Sequence, residues 1–439
     1  MSKTRIYTIS LGCPKNRVDT ERMLGAFGNN MIAAATAEES DLVLINTCGF
    51  IGPATEESVD TILETAETIK YLTPRPVLAV AGCLVSRYGK LTEQMPEVDL
   101  WLSTHELDQW PTLAAKALAG EQETIFPTIG QRAISTGPAY AYLKISEGCS
   151  HSCRFCTIPS IRGPHVSRKL EGLVDEARYI LDQGVPELVV VGQDTTAYGS
   201  DLDDKETNLR ALIEKLLPLQ GMEWLRLMYL YPAGLTDSML SFLAQAGKPL
   251  LPYFDIPIQH AHPDVLSSMG RPFARDPRKV IDRVRKHIPG AVLRTSIIVG
   301  YPGETGEHFN TLVDFVRETR FQNLGVFAYQ PEDGTPAGEM EQLPEELREE
   351  RRQKLMEVQS EISREILEEK VGETIQVLVE EPNDEWPGLF NGRVWFQAPE
   401  VDGITYISAP EDGMELKPGM IVEAEIDNVT DYDLVTLVK

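Results

Sequence analysis

The chain has 439 residues, 42% of them hydrophobic and 25% charged, and a formal net charge of −26. That length exceeds one ordinary core and predicts two to four domains. No run reaches the ~18 apolar residues of a membrane span, and so acidic a balance argues against phosphate backbones and for a basic partner. Six cysteines are few for this length, and their clustering points to thiolate ligands in a reducing cytoplasm rather than to a disulfide framework. Lys3 and Arg5 precede a short apolar run, but Asp19 and Glu21 follow closely and no cleavage site is evident, so no secretory signal is expected.

The first region reads as α/β. Arg5 to Ser10 is a strand candidate leading to Cys13, and Arg17 to Phe27 has helical spacing. Leu42 to Asn46 is an apolar strand ending at Thr47-Cys48-Gly49, with a helix from Thr55 to Lys70. Val77 to Ala81 is a third strand, ending at Gly82-Cys83. Apolar runs alternating with helical segments predict a parallel sheet. All three cysteines then fall just past the carboxyl end of a strand, where open parallel sheets gather ligands. One cysteine there would more often be a small buried hydrophobe. Three at equivalent places suggest a three-thiolate site, in an N-terminal domain over 1–125.

Pro127, Gly130, Gly137 and Pro138 mark a linker at 126–139. From Tyr140 a second series begins, with strands near Tyr140 to Ser146, Glu187 to Val191, Trp224 to Met228, Tyr253 to Ile258, Val292 to Val299 and Gly325 to Tyr329. Six strand–helix repeats predict a curved, partly open (βα)6 barrel over 140–340. After its first strand come Cys149, Cys153 and Cys156, spaced C-x3-C-x2-C, half of all the cysteines within eight residues. A closed zinc site takes four ligands, usually as two paired arms. Three thiolates on one compact loop suit an iron–sulfur cluster with one iron open. Such an iron can chelate a molecule bearing an amine and a carboxylate, and S-adenosylmethionine fits.

Gln193 and Asp194 follow the second strand, and Gly300, Gly303 and Glu304 follow the fifth, on the same carboxyl edge. Arg294 and Ser296 alternate along the fifth strand and face the interior. Without the cysteines, both segments would read equally well as plain strand-end turns. His151 and His260 read as hydrogen-bonded structural residues.

Glu341 to Lys370 is charged and helical, with Leu355, Val358, Ile362 and Ile366 on one stripe. It fits a single helix packed by one face, and two apolar heptads are too few to require a coiled coil. Beyond it, short alternating strands separated by Asn391-Gly392 and Lys417-Pro418-Gly419 predict a small antiparallel β-barrel over 371–439. That segment carries fifteen acidic residues against Arg393, Lys417 and Lys439. The excess favours a basic partner, with simple solubility as the alternative.

The stretch Gly148 to Cys156 resembles the radical SAM superfamily, whose signature is this spacing with an aromatic residue, here Phe155, before the last cysteine. The order of parts, over essentially the whole chain, is similar to the methylthiotransferase family: an N-terminal domain with three dispersed cysteines, a radical SAM barrel and a TRAM-like β-barrel. Ile9 to Asn16, Asn46 to Ile51, Ser146 to Cys149, Ile158 to Pro164, Gln193 to Thr196, Tyr229 to Pro232 and Glu332 to Pro336 resemble the members that modify a ribosomal protein rather than transfer RNA.

The resemblance implies two [4Fe-4S] clusters, a radical-generating one on Cys149, Cys153 and Cys156 and an auxiliary one on Cys13, Cys48 and Cys83. S-adenosylmethionine is expected beside Phe155, Gln193 and Asp194, as the resemblance implies, and beside Arg294, Ser296, Gly300, Gly303 and Glu304 on the same carboxyl edge. It implies methylation of a cluster-bound sulfur, then transfer of the methylthio group to the β-carbon of an aspartate in small-subunit ribosomal protein twelve. A reductant such as flavodoxin or ferredoxin and a cytoplasmic location follow, with no membrane or stable nucleic-acid partner. A transfer RNA methylthiotransferase, an iron–sulfur carrier or electron-transfer protein and, third, a zinc protein are the other readings.

Overall fold

Strands β1 (Thr4–Ser10), β2 (Met31–Ala33), β3 (Leu42–Thr47), β4 (Val77–Gly82) and β5 (Leu100–Ser103) lie side by side in the order β2-β1-β3-β4-β5, every pair parallel. The computed structural model describes residues 3–119, 132–273, 275–409 and 415–439, so Pro127 and Gly130 of the predicted linker lie outside the described residues. β3 is buried along its whole length, as its unbroken apolar run requires when helices cover both faces. The two edge strands, β2 and β5, are additions to the three expected; both are short, with no buried residue in β2 and only Leu102 buried in β5. The strand order reverses between β1 and β3, which opens a crevice beyond their carboxyl ends.

Contacts divide the chain into two compact units. The first comprises residues 1–135, 147–151 and 156–166, and the second residues 136–146, 152–155 and 167–439. The second unit begins with β6 (Tyr140–Lys144); two short strands, β7 (Ser146–Glu147) and β8 (Val166–Ser167), flank the cysteine loop. Then follow β9 (Glu187–Val191), β10 (Trp224–Leu227), β11 (Tyr253–Asp255), β12 (Val292–Val299) and β13 (Asn323–Ala328). They form two parallel sheets, β6-β9-β10 and β11-β12-β13, joined by a Leu225–Leu250 bridge. β6 and β13 do not pair among the described residues, so the six-stranded barrel is open between them.

The helix Glu345–Glu368 buries Leu355, Val358, Ile362 and Leu367 together with Arg348 and Arg351, and it packs on β13 as a single helix. Last come β14 (Thr374–Pro382), β15 (Leu389–Val394), β16 (Thr405–Ser408), β17 (Ile421–Val429) and β18 (Leu434–Val438), closed in the order β14-β15-β16-β18-β17. Four of the five pairings are antiparallel, and β16 with β18 is parallel. Strand direction cannot alternate all the way round a ring of five, so one parallel seam is unavoidable.

The small barrel has a defined seat within the second unit. Tyr140, Glu187, Tyr253 and Asn323 are the first residues of their strands and mark the amino end of the larger barrel. Each bonds to the small barrel: Tyr140 Oη donates to Glu400 at 2.9 Å, Arg393 Nη2 donates to Glu187 at 2.6 Å, Tyr253 Oη donates to Asp402 at 2.6 Å, and Asn323 Nδ2 donates to Asp402 at 3.1 Å. Arg226 adds a 2.9 Å bond to the Trp395 carbonyl. The stretch Arg393 to Asp402 therefore seals the end of the larger barrel opposite the edge from which the cysteine loop departs.

Candidate active site

In the first unit the parallel register brings three distant cysteines to one edge. Ser10 aligns with Asn46, Asn46 with Ala81 and Thr47 with Gly82, so Cys13, Cys48 and Cys83 all emerge just beyond the last paired residues. Cys13 precedes the helix Pro14–Gly25, and Cys83 opens the helix Cys83–Arg87. Gly12 has φ +89°, and a Cβ there would stand 2.8 Å from Cys48 Cβ. Only glycine lets the β1 turn approach Cys48 so closely. Asn16 stitches the same corner, donating to the carbonyls of Leu11 and Thr47 at 3.0 and 2.9 Å.

The charges at this corner are uneven. Burial pushes the Cys83 thiol up to about 11 against the opposing pull of Arg162, and burial also raises Cys48. Burial acts on Cys13 as well, but Lys15 and Arg162 outweigh it and hold that thiol below its ordinary value. Arg162 is buried; its Nε lies 3.3 Å from Cys83 Sγ, and its remaining nitrogens reach Asp19, Glu147 and Asn16.

The residues of the C-x3-C-x2-C loop are divided between the two units, and each part is held within its own unit. In the first, Gly148 has φ +73°, and a Cβ on it would stand 2.1 Å from the Pro164 carbonyl oxygen. Cys149 N donates to the Gly163 carbonyl at 3.1 Å, and His165 N donates to Ser150 Oγ at 3.0 Å. In the second, Arg154 N donates to the Met269 carbonyl and its own carbonyl accepts from Ala337 N. Phe155 packs with Val265, Met269, Tyr301, Tyr329 and Ala337. Arg271 donates from Nη1 to Cys153 Sγ at 3.3 Å, while its buried Nε has no hydrogen-bond partner among the described residues.

The remaining sequence-expected residues divide by role. Gln193 and Asp194 sit at the end of β9, where the Asp194 carboxylate accepts from the backbone of Thr196 and Ala197 and so shapes the turn. Ser296 and Arg294 share one face of β12. Arg294, however, ion-pairs with Asp255 and Asp402 at 2.9 and 3.2 Å, so its guanidinium is committed to the seat of the small barrel. Glu304 is equally committed: it meets His260 Nε2 at 3.2 Å, Gly300 N at 3.0 Å and Arg351 at 2.6 Å. Gly300 rests against Arg348, which leaves Gly303 as the open position of that turn. Spacing showed which face these side chains occupy but not what reaches them from elsewhere in the chain.

Three features had no assigned role in the sequence. Arg162 and Arg271 are the arginines at the sulfurs; Arg162 lies in the stretch Ile158 to Pro164, and Arg271 carried no local signal. Phe327 shares a face of β13 with Gly325, whose Cβ would meet the Phe327 ring at 3.2 Å and Arg294 at 3.7 Å, and it is 52% exposed. His262, Asp264 and His308 also gather, with one ligand atom of each within 4.8 Å of the others. Both histidine Nδ1 atoms accept backbone N–H bonds at helix starts, from Asp264 and Thr305, which accounts for them as caps.

Soft thiols in threes, each set with an arginine at one sulfur and one set with an unpartnered buried N–H, fit thiolate-ligated iron–sulfur clusters. Hard-cation or closed zinc chemistry would call for oxygen donors or a fourth ligand.

Comparison with known proteins agrees with this geometry. Residues 5–103 match the family described as uncharacterized protein family UPF0004, residues 143–316 the radical SAM superfamily, and residues 371–438 the TRAM domain. The chain is 57% identical over 436 residues to a ribosomal protein uS12 methylthiotransferase RimO of Nitratidesulfovibrio vulgaris strain DP4, covering 99% of each chain. It is 44% identical to the protein of the same name from Aquifex aeolicus, covering 98% of this chain and 96% of the other. Among solved structures, the radical S-adenosylmethionine methyltransferase TsrM from Kitasatospora setae, with cobalamin and a [4Fe-4S] cluster bound, superposes with a TM-score of 0.55 at 14% identity and 77% coverage of each chain. That likeness is one of fold.

Proposed function

We propose, from the premise that the chain belongs to the RimO family of ribosomal protein uS12 methylthiotransferases, that it adds a methylthio group to the β-carbon of an aspartate in uS12, small-subunit ribosomal protein twelve. It is an S-adenosylmethionine-dependent radical enzyme. The observation that carries the reading is the gathering of Cys13, Cys48 and Cys83 at one sheet edge, in a chain that also holds the C-x3-C-x2-C loop. Each set is one ligand short of closure.

Cys149, Cys153 and Cys156 would hold one [4Fe-4S] cluster, and Cys13, Cys48 and Cys83 the other. When bound, these and S-adenosylmethionine would supply an adenosyl radical able to take hydrogen from an unactivated carbon, and a sulfur methylated for transfer. The chain's own residues prepare the ground. Phe155, fixed among Met269, Tyr301 and Tyr329, forms an apolar wall beside the loop. Asp194 and Glu304, through their bonds to backbone N–H groups, hold the β9 and β12 turns in shape for a ligand to rest on. Ser296 and Phe327 would face the interior, and Phe327, an exposed side chain, would touch a bound adenosine or the target side chain.

The domains divide at 1–125, 126–139, 140–340, 341–370 and 371–439. The acidic excess of the last segment would attract a basic ribosomal protein and repel transfer RNA. A small one-electron protein such as flavodoxin or ferredoxin would supply the electrons, in the cytoplasm. No helix among the described residues is long and apolar enough to cross a membrane.

Mass spectrometry of uS12 from cells with and without the gene tests the reading. An aspartate carrying a methylthio group in place of one hydrogen, present only with the gene, is the expected result. The same group found on transfer RNA nucleosides and absent from uS12 would overturn it.

A further inference from the structure

Each three-cysteine set carries one buried arginine whose N–H meets a sulfur, and the surroundings of the two arginines differ. Arg162 Nε lies 3.3 Å from Cys83 Sγ, and its Nη1 ion-pairs with Asp19 at 3.2 Å and Glu147 at 2.7 Å while Nη2 donates to Asn16. Arg271 Nη1 lies 3.3 Å from Cys153 Sγ; its Nη2 donates to the Pro257 carbonyl at 2.5 Å, and its guanidinium lies 4.6 Å from the Tyr231 ring centroid. Among the described residues no carboxylate pairs with Arg271, and its buried Nε has no hydrogen-bond partner.

We propose that Arg162 and Arg271 are positioning residues that donate N–H···S hydrogen bonds to thiolate ligands and raise the reduction potentials of the two clusters, Arg271 by more than Arg162. The inference rests on the assignment of the two cysteine sets as cluster ligands. A [4Fe-4S] cluster on three thiolates gains one negative charge on accepting one electron, with no proton transferred, so a nearby cation stabilises the reduced form. Hydrogen bonds to sulfur act in the same direction. Asp19 and Glu147 offset the charge of Arg162 and leave mainly its N–H dipole acting on Cys83. Arg271 keeps its full charge, and its free Nε–H is available to a second sulfur. The anchoring partners also hold both guanidiniums against swinging away when charge changes.

The experiment isolates each cluster in the full-length chain. Arg271→Gln and Arg271→Lys are built on a background with Cys13, Cys48 and Cys83 replaced by alanine, and the Arg162 variants on one with Cys149, Cys153 and Cys156 replaced. Each protein is reconstituted with iron and sulfide and titrated anaerobically with dithionite, with electron paramagnetic resonance reporting the reduced cluster. The parent backgrounds come first: failure of either to take up iron refutes the ligand assignment and leaves the arginine question separate. With iron content kept, Arg271→Gln should reduce the ratio of reduced to oxidised cluster at a fixed potential about tenfold, or about 59 mV for one electron. Arg162→Gln should shift its cluster in the same direction by less, and each lysine variant should fall between wild type and glutamine. Midpoints unchanged at full iron content would overturn the proposal. So would loss of iron in both the glutamine and the lysine variants, which would mark the arginines as needed for assembly.

Discussion

Arg393 of the small barrel donates to Glu187 at the base of β9 at 2.6 Å, and neither side chain is more than 2% exposed. Arg226 meets the other oxygen of the same carboxylate at 2.7 Å. Burial alone would raise the Glu187 carboxyl, but the two arginines reverse this and hold it below its ordinary value. Removing one member of such a buried set leaves an uncompensated charge and costs about 3–5 kcal/mol. Glu187→Gln should therefore lower the thermal midpoint sharply, and the combined loss with Arg393→Met should be well below the sum of the two single losses. Calorimetry on the two singles and the double measures this, and additive losses would refute the coupling.

Acid should loosen the barrel through His260 before it weakens the hold of Glu304. Burial holds this imidazole below its ordinary 6.5, although Glu304 pulls the other way. A depressed folded value means that the unfolded chain takes up the proton first. Stability is then complete above about pH 6.5 and falls by up to about 1.4 kcal/mol per pH unit as the pH drops toward the folded value. Glu304, held below 4.5 by His260, Gly300 N–H and Arg351 despite burial, acts in a lower window. Melts between about pH 7 and pH 5 should show the decline, and His260→Asn should flatten it while lowering the starting stability.

Replacing Cys149, Cys153 and Cys156 with alanine should abolish 5'-deoxyadenosine formation. Replacing Cys13, Cys48 and Cys83 should leave that cleavage intact, roughly halve the bound iron and stop methylthio transfer. Iron analysis and product assays check both, and unchanged iron in the second variant would return those three thiols to the status of core residues.

Gly148→Ala is expected to damage the radical-generating site without touching a ligand. The added methyl would stand 2.1 Å from the Pro164 carbonyl at a backbone φ of +73°, so the loop must move. Reconstituted protein should lose the iron of that site while the iron held by Cys13, Cys48 and Cys83 persists. Full iron in both sites would show that the loop accommodates the methyl group.

Much of this architecture was legible because apolar runs in parallel sheets are continuous and end abruptly. Leu42 to Asn46 announced β3, and the cysteine after each run announced the edge. β2 and β5 escaped because runs of three and four residues are too short to stand out as strands. Arg294 was read on the fifth strand and Glu304 on the turn after it, yet their partners lie 108 and 47 residues away, at Asp402 and Arg351, and no local pattern points to them. The same holds for Arg271 and Cys153, 118 residues apart. The parallel β16–β18 seam follows from the parity of a five-membered ring, which becomes visible only once the strand count is known.

The seat of the small barrel also governs how such chains can be recombined. Its Arg393, Glu400 and Asp402 answer to Glu187, Tyr140, Tyr253, Arg294 and Asn323, so a terminal barrel taken from a relative seats only where its plug matches these sockets. A functional chimera must carry both halves of that lock, so the last sixty-nine residues are not an independent cassette despite their self-contained strand ring.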